Sequence, residues 1–192
     1  MVHLRFSLRD RKIARDGVLV FFELPGPTTN EPQPPLQDPD VRAGVRRKLE
    51  KVIHRRYMLR SGIELKSLVK YFAVPKGGND IHIVYDATAN KLNKFVWVLS
   101  FWLPTLDSFL QALDKNSWMV VQDMADMFLN FQLHADVVTF TGVDLGPMYK
   151  KGEESRDRRW AFCVSNLMGF GASPYNSVKM ALIIAEKVCR GN

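Results

Sequence analysis

Cysteine is almost missing from this sequence. Cys163 and Cys189 are too few and too isolated for a disulfide framework, and the four histidines show no zinc spacing with them. Both thiols read as buried or unremarkable. No apolar run reaches the roughly 18 residues that a membrane-spanning helix needs, and the N-terminal MVHLRFSLRDRK is too charged for a secretory signal. These absences point to an intracellular protein, of cytoplasm or nucleus, that is not secreted and has no membrane partner. Acidic residues are scarce in one place: residues 41–60 carry eight Lys/Arg against one Glu, which accounts for the +7 net charge of the whole 192-residue chain. Basic charge at that density suits a polyanion, of which nucleic-acid phosphate is the commonest.

What the chain does have is enough apolar residues, 46% of the total, for a real core. Residues 1–16 show no clear period, and Gly17 to Leu24 reads as a short strand. Pro25 to Pro39 is a Pro-rich linker or surface loop. Residues 1–39 are therefore expected to be an N-terminal appendage and linker. Asp38-Pro39 has the form of an N-cap followed by Pro at the first helical position. Val41, Val45, Leu49, Val52 and Ile53 then predict an amphipathic helix to about Met58. Its other faces carry Arg42, Arg46, Arg47, Lys48, Lys51, Arg55 and Arg56, either a solvated face or, since few acidic partners are at hand, a contact for phosphates.

Leu68 to Asp86 reads as a hairpin turning at Gly77-Gly78-Asn79-Asp80, with Lys76 at its tip. Pro104 and Thr105 start a helix whose apolar face is Leu106, Phe109, Leu110 and Leu113. Trp118 to Val121 suits a buried strand, with Gln122 and Asp123 where it emerges and a turn from Met124 to Phe128. Taken alone, Asp123 with Asp126 three residues on reads as a helix N-terminus, one carboxylate capping free N–H groups. Val137 to Leu145 and Trp160 to Val164 are further strand candidates flanking an exposed charged loop. Ser173 can cap a helix from about Pro174 to Val188, with Val178, Leu182, Ile183 and Ala185 inside.

Three stretches carry a family resemblance: Y-F-A-V-P-K-G-G-N-D-I-H-I-V-Y-D followed by L-N, then D-x-x-D-x-F-x-N-F-x-L-H, then G-F-G-A-S-P. In this order they resemble the fingers and the first two palm blocks of reverse transcriptases, over roughly residues 40–192. The resemblance implies an α+β chain: a fingers-like region at 40–117 and a partial palm at 118–192, an antiparallel sheet with packed helices. It implies that Asp123 is catalytic and binds magnesium with the backbone carbonyl of Met124. Lys76, His82 and Asp126 would lie near the incoming nucleotide, Phe128 would be the aromatic gate that excludes a ribose 2′-OH, and Gly169 would let the backbone approach the nascent base pair. Arg46, Arg47, Lys51 and Arg55 would hold nucleic-acid backbone. The family usually has Arg where this chain has His82, and histidine lacks the permanent charge and planar fork.

The parent enzyme so implied adds deoxynucleotides to a primer on an RNA or DNA template, using two Mg²⁺ ions that clamp the attacking and leaving oxygens. The family's third block, an aromatic, any residue and then Asp-Asp, does not occur in this sequence. The expectation is a fragment truncated after the second palm block and inactive alone. The alternatives are a nucleic-acid-binding remnant without catalysis, or an unrelated α/β domain in which Asp123 is only a cap.

Overall fold

The computed structural model describes residues 7–23, 26–77, 80–103, 105–111, 113–116, 118, 123–150, 153 and 156–190, of which the side chains at 106, 109, 156, 157, 189 and 190 are not described. The chain is mixed helix and sheet, and its sheets are antiparallel.

The first element among the described residues is a helix that the sequence did not announce. α1 (Leu8–Asp16) is capped by Ser7, whose Oγ accepts from the Asp10 N–H at 3.1 Å. No residue of α1 is buried, which is why no apolar period announces it. The strand expected at Gly17 to Leu24 is not a strand: extended chain there makes single bridges, Val18 to Leu133 and Phe22 to Val96, and Leu24 lies outside the described residues.

The Pro-rich stretch runs across the body. Thr29 Oγ1 donates to Asn90 O at 2.9 Å, and the Gln33 carboxamide spans Tyr71, donating to its O and accepting from its N–H. Helix α2 (Pro39–His54) starts as expected on Asp38, whose carboxylate accepts from the N–H groups of Asp40 and Val41. It ends at His54, four residues short of Met58, because Arg56 turns left-handed at φ 60°.

Two sheets follow. β1 (Met58–Arg60), β4 (Gly142–Asp144) and β5 (Trp160–Cys163) form one, with β5 in the middle; Met58 faces Cys163 and Gly142 faces Phe162. The strand expected over Val137 to Leu145 is only this β4, since Ala135–Val138 is a single helical turn, α5, capped by His134. β2 (Lys70–Lys76) and β3 (Asp80–Asp86) make the expected hairpin; Lys76 faces Asp80, so Asp80 belongs to the strand rather than the turn, and Gly78 and Asn79 lie outside the described residues. Short helices α3 (Leu92–Phe95) and α4 (Leu106–Gln111) follow it. α4 begins right after Thr105, whose Oγ1 accepts from the Ser108 N–H; Pro104, expected to start the helix with it, lies outside the described residues, and Leu110 is exposed rather than on a packed face. The core joins both sheets: Val45 and Leu49 of α2 pack with Met58, Tyr71, Tyr85, Val143, Ala161, Cys163 and Phe170. Burying that apolar area is the dominant favourable term in folding.

The loop expected to be exposed at 148–159 is anchored at its two ends, while Lys150, Glu153 and Arg158 are exposed as expected and residues 151, 152, 154 and 155 lie outside the described residues. Met148 and Tyr149 are buried, and Arg159, at the end of α6 (Arg156–Arg159), binds the buried Asp144 carboxylate through Nε at 3.0 Å and Nη2 at 3.1 Å. Helix α7 spans Ser173–Arg190. Its inner face is Asn176, Ser177 and Met180; Leu182 and Ala185, expected inside, are exposed. Ser173 does not cap: its Oγ is buried with no hydrogen-bond partner among the described residues. Among those residues no helix is long and apolar enough to cross a membrane.

Candidate functional site

Glycine and asparagine chemistry fixes the loop beside the candidate site. β3 ends on Asp86, whose Oδ1 accepts from the N–H groups of Thr88 and Ala89, both at 2.9 Å, and so folds the chain back toward α3. Asn93 then holds the glycine loop from both ends of its carboxamide: Nδ2 donates to Gly169 O at 2.9 Å, and Oδ1 accepts from the Gly171 N–H at 2.8 Å. Gly169 has φ +94°, and a Cβ there would lie 2.0 Å from Tyr85 O. Only glycine fits that approach. Sequence placed Asn93 as a landmark, but nothing in Leu92-Asn93 signals that it pins residues 169–171.

The neighbouring turn carries the aspartates. Asp126 adopts a left-handed φ of 53° and opens a 3₁₀ turn, Met127–Asn130, that Asn130 braces by donating Nδ2 to Ala125 O at 3.0 Å. The capping reading of this turn is overturned, because the Asp126 carboxylate makes no cap bond and instead accepts from Arg55 Nη1 at 2.8 Å. Asp123 is exposed and makes no hydrogen bond or ion pair with any described residue. The buried strand expected ahead of it cannot be followed, since Met119 to Gln122 lie outside the described residues; Trp118, its first residue, is 99% exposed and in no strand.

A cleft of about 480 Å³ lies between the end of α2, the hairpin and the turn at 124–129. It gathers Lys51, Arg55, Lys76, His82, Asp126 and Phe128, which the sequence scatters over 78 positions. Met124 also lines it. His82 lies with Nε2 3.4 Å from Met168 Sδ, so Met168 closes the cleft beside the glycine loop. Gly169 is therefore adjacent rather than lining, and Asp123 is not part of the lining.

No family model matches this chain. No curated protein is similar to it at a significant level.

The charge of the cleft differs from what the basic run suggested. Carboxylates pair with the basic face of α2: Arg46 binds Glu50 of the same helix and Glu153, and Arg47 and Lys48 bind Asp80 of β3. Lys48 beside Asp80 holds that carboxyl below the usual carboxylate range. The expectation that these cations lack acidic partners is corrected for Arg46, Arg47, Lys48 and Arg55. Arg46 also lies over the Tyr149 ring, 5.4 Å from its centroid, away from the cleft. Lys51 and Lys76 line the cleft and form no ion pair with any described residue. They are its available cations.

A magnesium ion prefers six oxygen ligands and usually takes one or two carboxylates plus substrate phosphates. Asp123 offers one carboxylate, and Asp126 is engaged by Arg55. Among the described residues no three His, Cys, Asp or Glu side chains converge. These residues alone do not fit a two-metal centre.

Proposed function

We propose that this chain is the fingers region and partial palm of a reverse-transcriptase-like polymerase, whose cleft takes nucleotide and template-primer phosphates. The observation that supports it is the convergence of Lys76, His82, Asp126 and Phe128 with Lys51 and Arg55 in one cleft. In this reading Lys51 and Lys76 supply positive charge for phosphate oxygens, the ring of Phe128 would sort the sugar, and Met168, next to the Asn93-held loop, lines the cleft beside His82. Phosphoryl transfer is mostly positioning and charge neutralisation, so a preformed basic cleft is what the binding half of such an enzyme requires. Magnesium, by the resemblance two ions in the parent enzyme, would need carboxylates besides Asp123. This sequence contains no Asp-Asp pair.

A second reading keeps the cleft and drops the chemistry: a non-enzymatic nucleic-acid-binding remnant. The lack of a converging carboxylate group among the described residues favours it. One experiment separates the two. The purified chain is given a labelled primer-template, deoxynucleotides and Mg²⁺, and both binding and extension are followed. Salt-sensitive binding without extension is the expected result. Extension that Asp123→Ala abolishes would show the chain to be catalytically complete and overturn the view that it is not. Absence of binding at low salt would sink both readings.

A further inference from the structure

A second cavity, sharing no lining residue with the first, lies between α1, the extended segment after it and α7, with a volume of about 340 Å³. Its walls are apolar, among them Ile13, Val18, Phe21 and Met180. Its polar groups are nearly all donors. Arg9 and Lys12 line it from α1 and form no ion pair with a described residue. Lys179 lines it from α7, with Nζ 3.2 Å from the Tyr175 hydroxyl. The one acid in the lining, Asp16, has both oxygens engaged by Arg15, Nε to Oδ1 at 2.6 Å and Nη2 to Oδ2 at 3.1 Å. His134 is engaged too, its Nδ1 accepting from the Asp136 N–H at 3.3 Å.

Asn176 decides the chemistry. It lines this cavity, is only 7% exposed, and its Nδ2 is buried with no hydrogen-bond partner among the described residues. A buried amide donor without an acceptor costs free energy, so its retention calls for something that accepts. A cavity of this size with apolar walls and a few convergent polar groups has the build of a small-molecule site.

We propose that this cavity binds a small amphipathic oxyanion: a phosphate or carboxylate group to which Asn176 Nδ2 and the Arg9, Lys12 and Lys179 cations donate, carrying an aromatic or alkyl body against Ile13, Phe21 and Met180. The site is separate from the basic cleft and does not depend on the polymerase reading.

The test is calorimetric titration of the full chain with phenyl phosphate, with inorganic phosphate and phenol as the two half-ligands. Phenyl phosphate is expected to bind at one site, at least about tenfold more tightly than either half, since both parts of the site are then used. Asn176→Leu removes the donor at nearly constant shape; it is expected to weaken binding about tenfold or more while leaving the melting temperature unchanged or higher. Lys12→Gln should weaken binding and its salt dependence, and Lys51→Gln, in the other cleft, should change neither. Equal binding of inorganic and phenyl phosphate, unaltered binding by Asn176→Leu, or loss of binding in Lys51→Gln would overturn the proposal. So would a loss of stability in Asn176→Leu that parallels the loss of binding, which would assign Asn176 to the packing of α7.

Discussion

Arg55 and Asp126, 71 residues apart, meet at 2.8 Å and tie the end of the basic helix to the turn that follows Asp123. Both side chains are nearly half exposed, so the pair contributes little to stability, on the order of 0–1 kcal/mol. Its consequence is electrostatic: the carboxylate occupies a cation that faces the cleft. Asp126→Asn should therefore strengthen binding of a polyanion and steepen its salt dependence by about one phosphate's worth of counterion release. Fluorescence anisotropy of a labelled oligonucleotide across a salt series checks this, and weaker binding by the variant would show that Asp126 is needed as an acceptor.

Neutralising basic residues of α2 and the hairpin one at a time should give unequal effects. Lys51→Gln and Lys76→Gln remove cations with no described acidic partner, and each should lower affinity and flatten the salt slope by about one unit. Arg46→Gln and Arg47→Gln remove cations already bound to Glu50, Glu153 or Asp80, and should change both by much less. The same anisotropy titration reads all four. Equal effects would mean that the carboxylates release these arginines when nucleic acid arrives.

Local rules made α2 and the hairpin legible in advance, because Asp38-Pro39 and the Gly-Gly-Asn-Asp turn act within a few residues of themselves. The end of α2 was not legible, since only a left-handed Arg56 stops it. The Val137 to Leu145 run misled for a related reason: a His134 cap and one helical turn use the same apolar residues that a strand would. The site's members came from the family resemblance, and their meeting in one cleft is long-range packing that no spacing reveals. The ion pairs of Arg46, Arg47, Lys48 and Arg55 escaped for the same reason, their partners lying mostly on other elements. Asn93 escaped because its contacts lie 76 and 78 residues away.

The glycine loop supplies a stability test. Gly169→Ala places a methyl group 2.0 Å from a backbone oxygen at a φ of +94°, so both sterics and conformation oppose it. A loss of about 2–4 kcal/mol is expected, larger than for most single substitutions. Gly62→Ala, where an added Cβ meets nothing within 4 Å, is the control and should change the urea midpoint little.

Asp144 is 1% exposed and is held by four donors: Arg159 Nε and Nη2, the Gly146 N–H at 2.9 Å and the Gln33 N–H at 3.2 Å. Arg159→Met leaves a buried carboxylate without its counter-charge and should cost about 3–5 kcal/mol. Adding Asp144→Asn sheds the charge but keeps an acceptor, so the double variant should recover part of that loss. Urea unfolding of both variants measures it; a double variant weaker than Arg159→Met would show that the charge itself is not the cost.

Alkaline pH should unfold this protein through three buried acids. Burial pushes the Cys163 thiol and the Tyr71 hydroxyl up, and it pushes Tyr85 well above the ordinary tyrosine value, with smaller contributions from neighbouring acidic groups for the two tyrosines. In each case the folded state keeps its proton where the unfolded chain releases it. The sign follows: unfolding releases protons once the pH exceeds the ordinary values, 9.0 for cysteine and 10.0 for tyrosine, so stability falls from there upward. Below about pH 8.5 these groups are protonated in both states and contribute no pH dependence. The urea midpoint should thus be insensitive to them from pH 7 to about 8.5 and drop steadily above 9, and Cys163→Ala should delay the onset toward pH 10 at some cost in packing. A midpoint that stays level to pH 10.5 would mean that these side chains ionise as readily in the fold as in the unfolded chain, and hence that they are not buried.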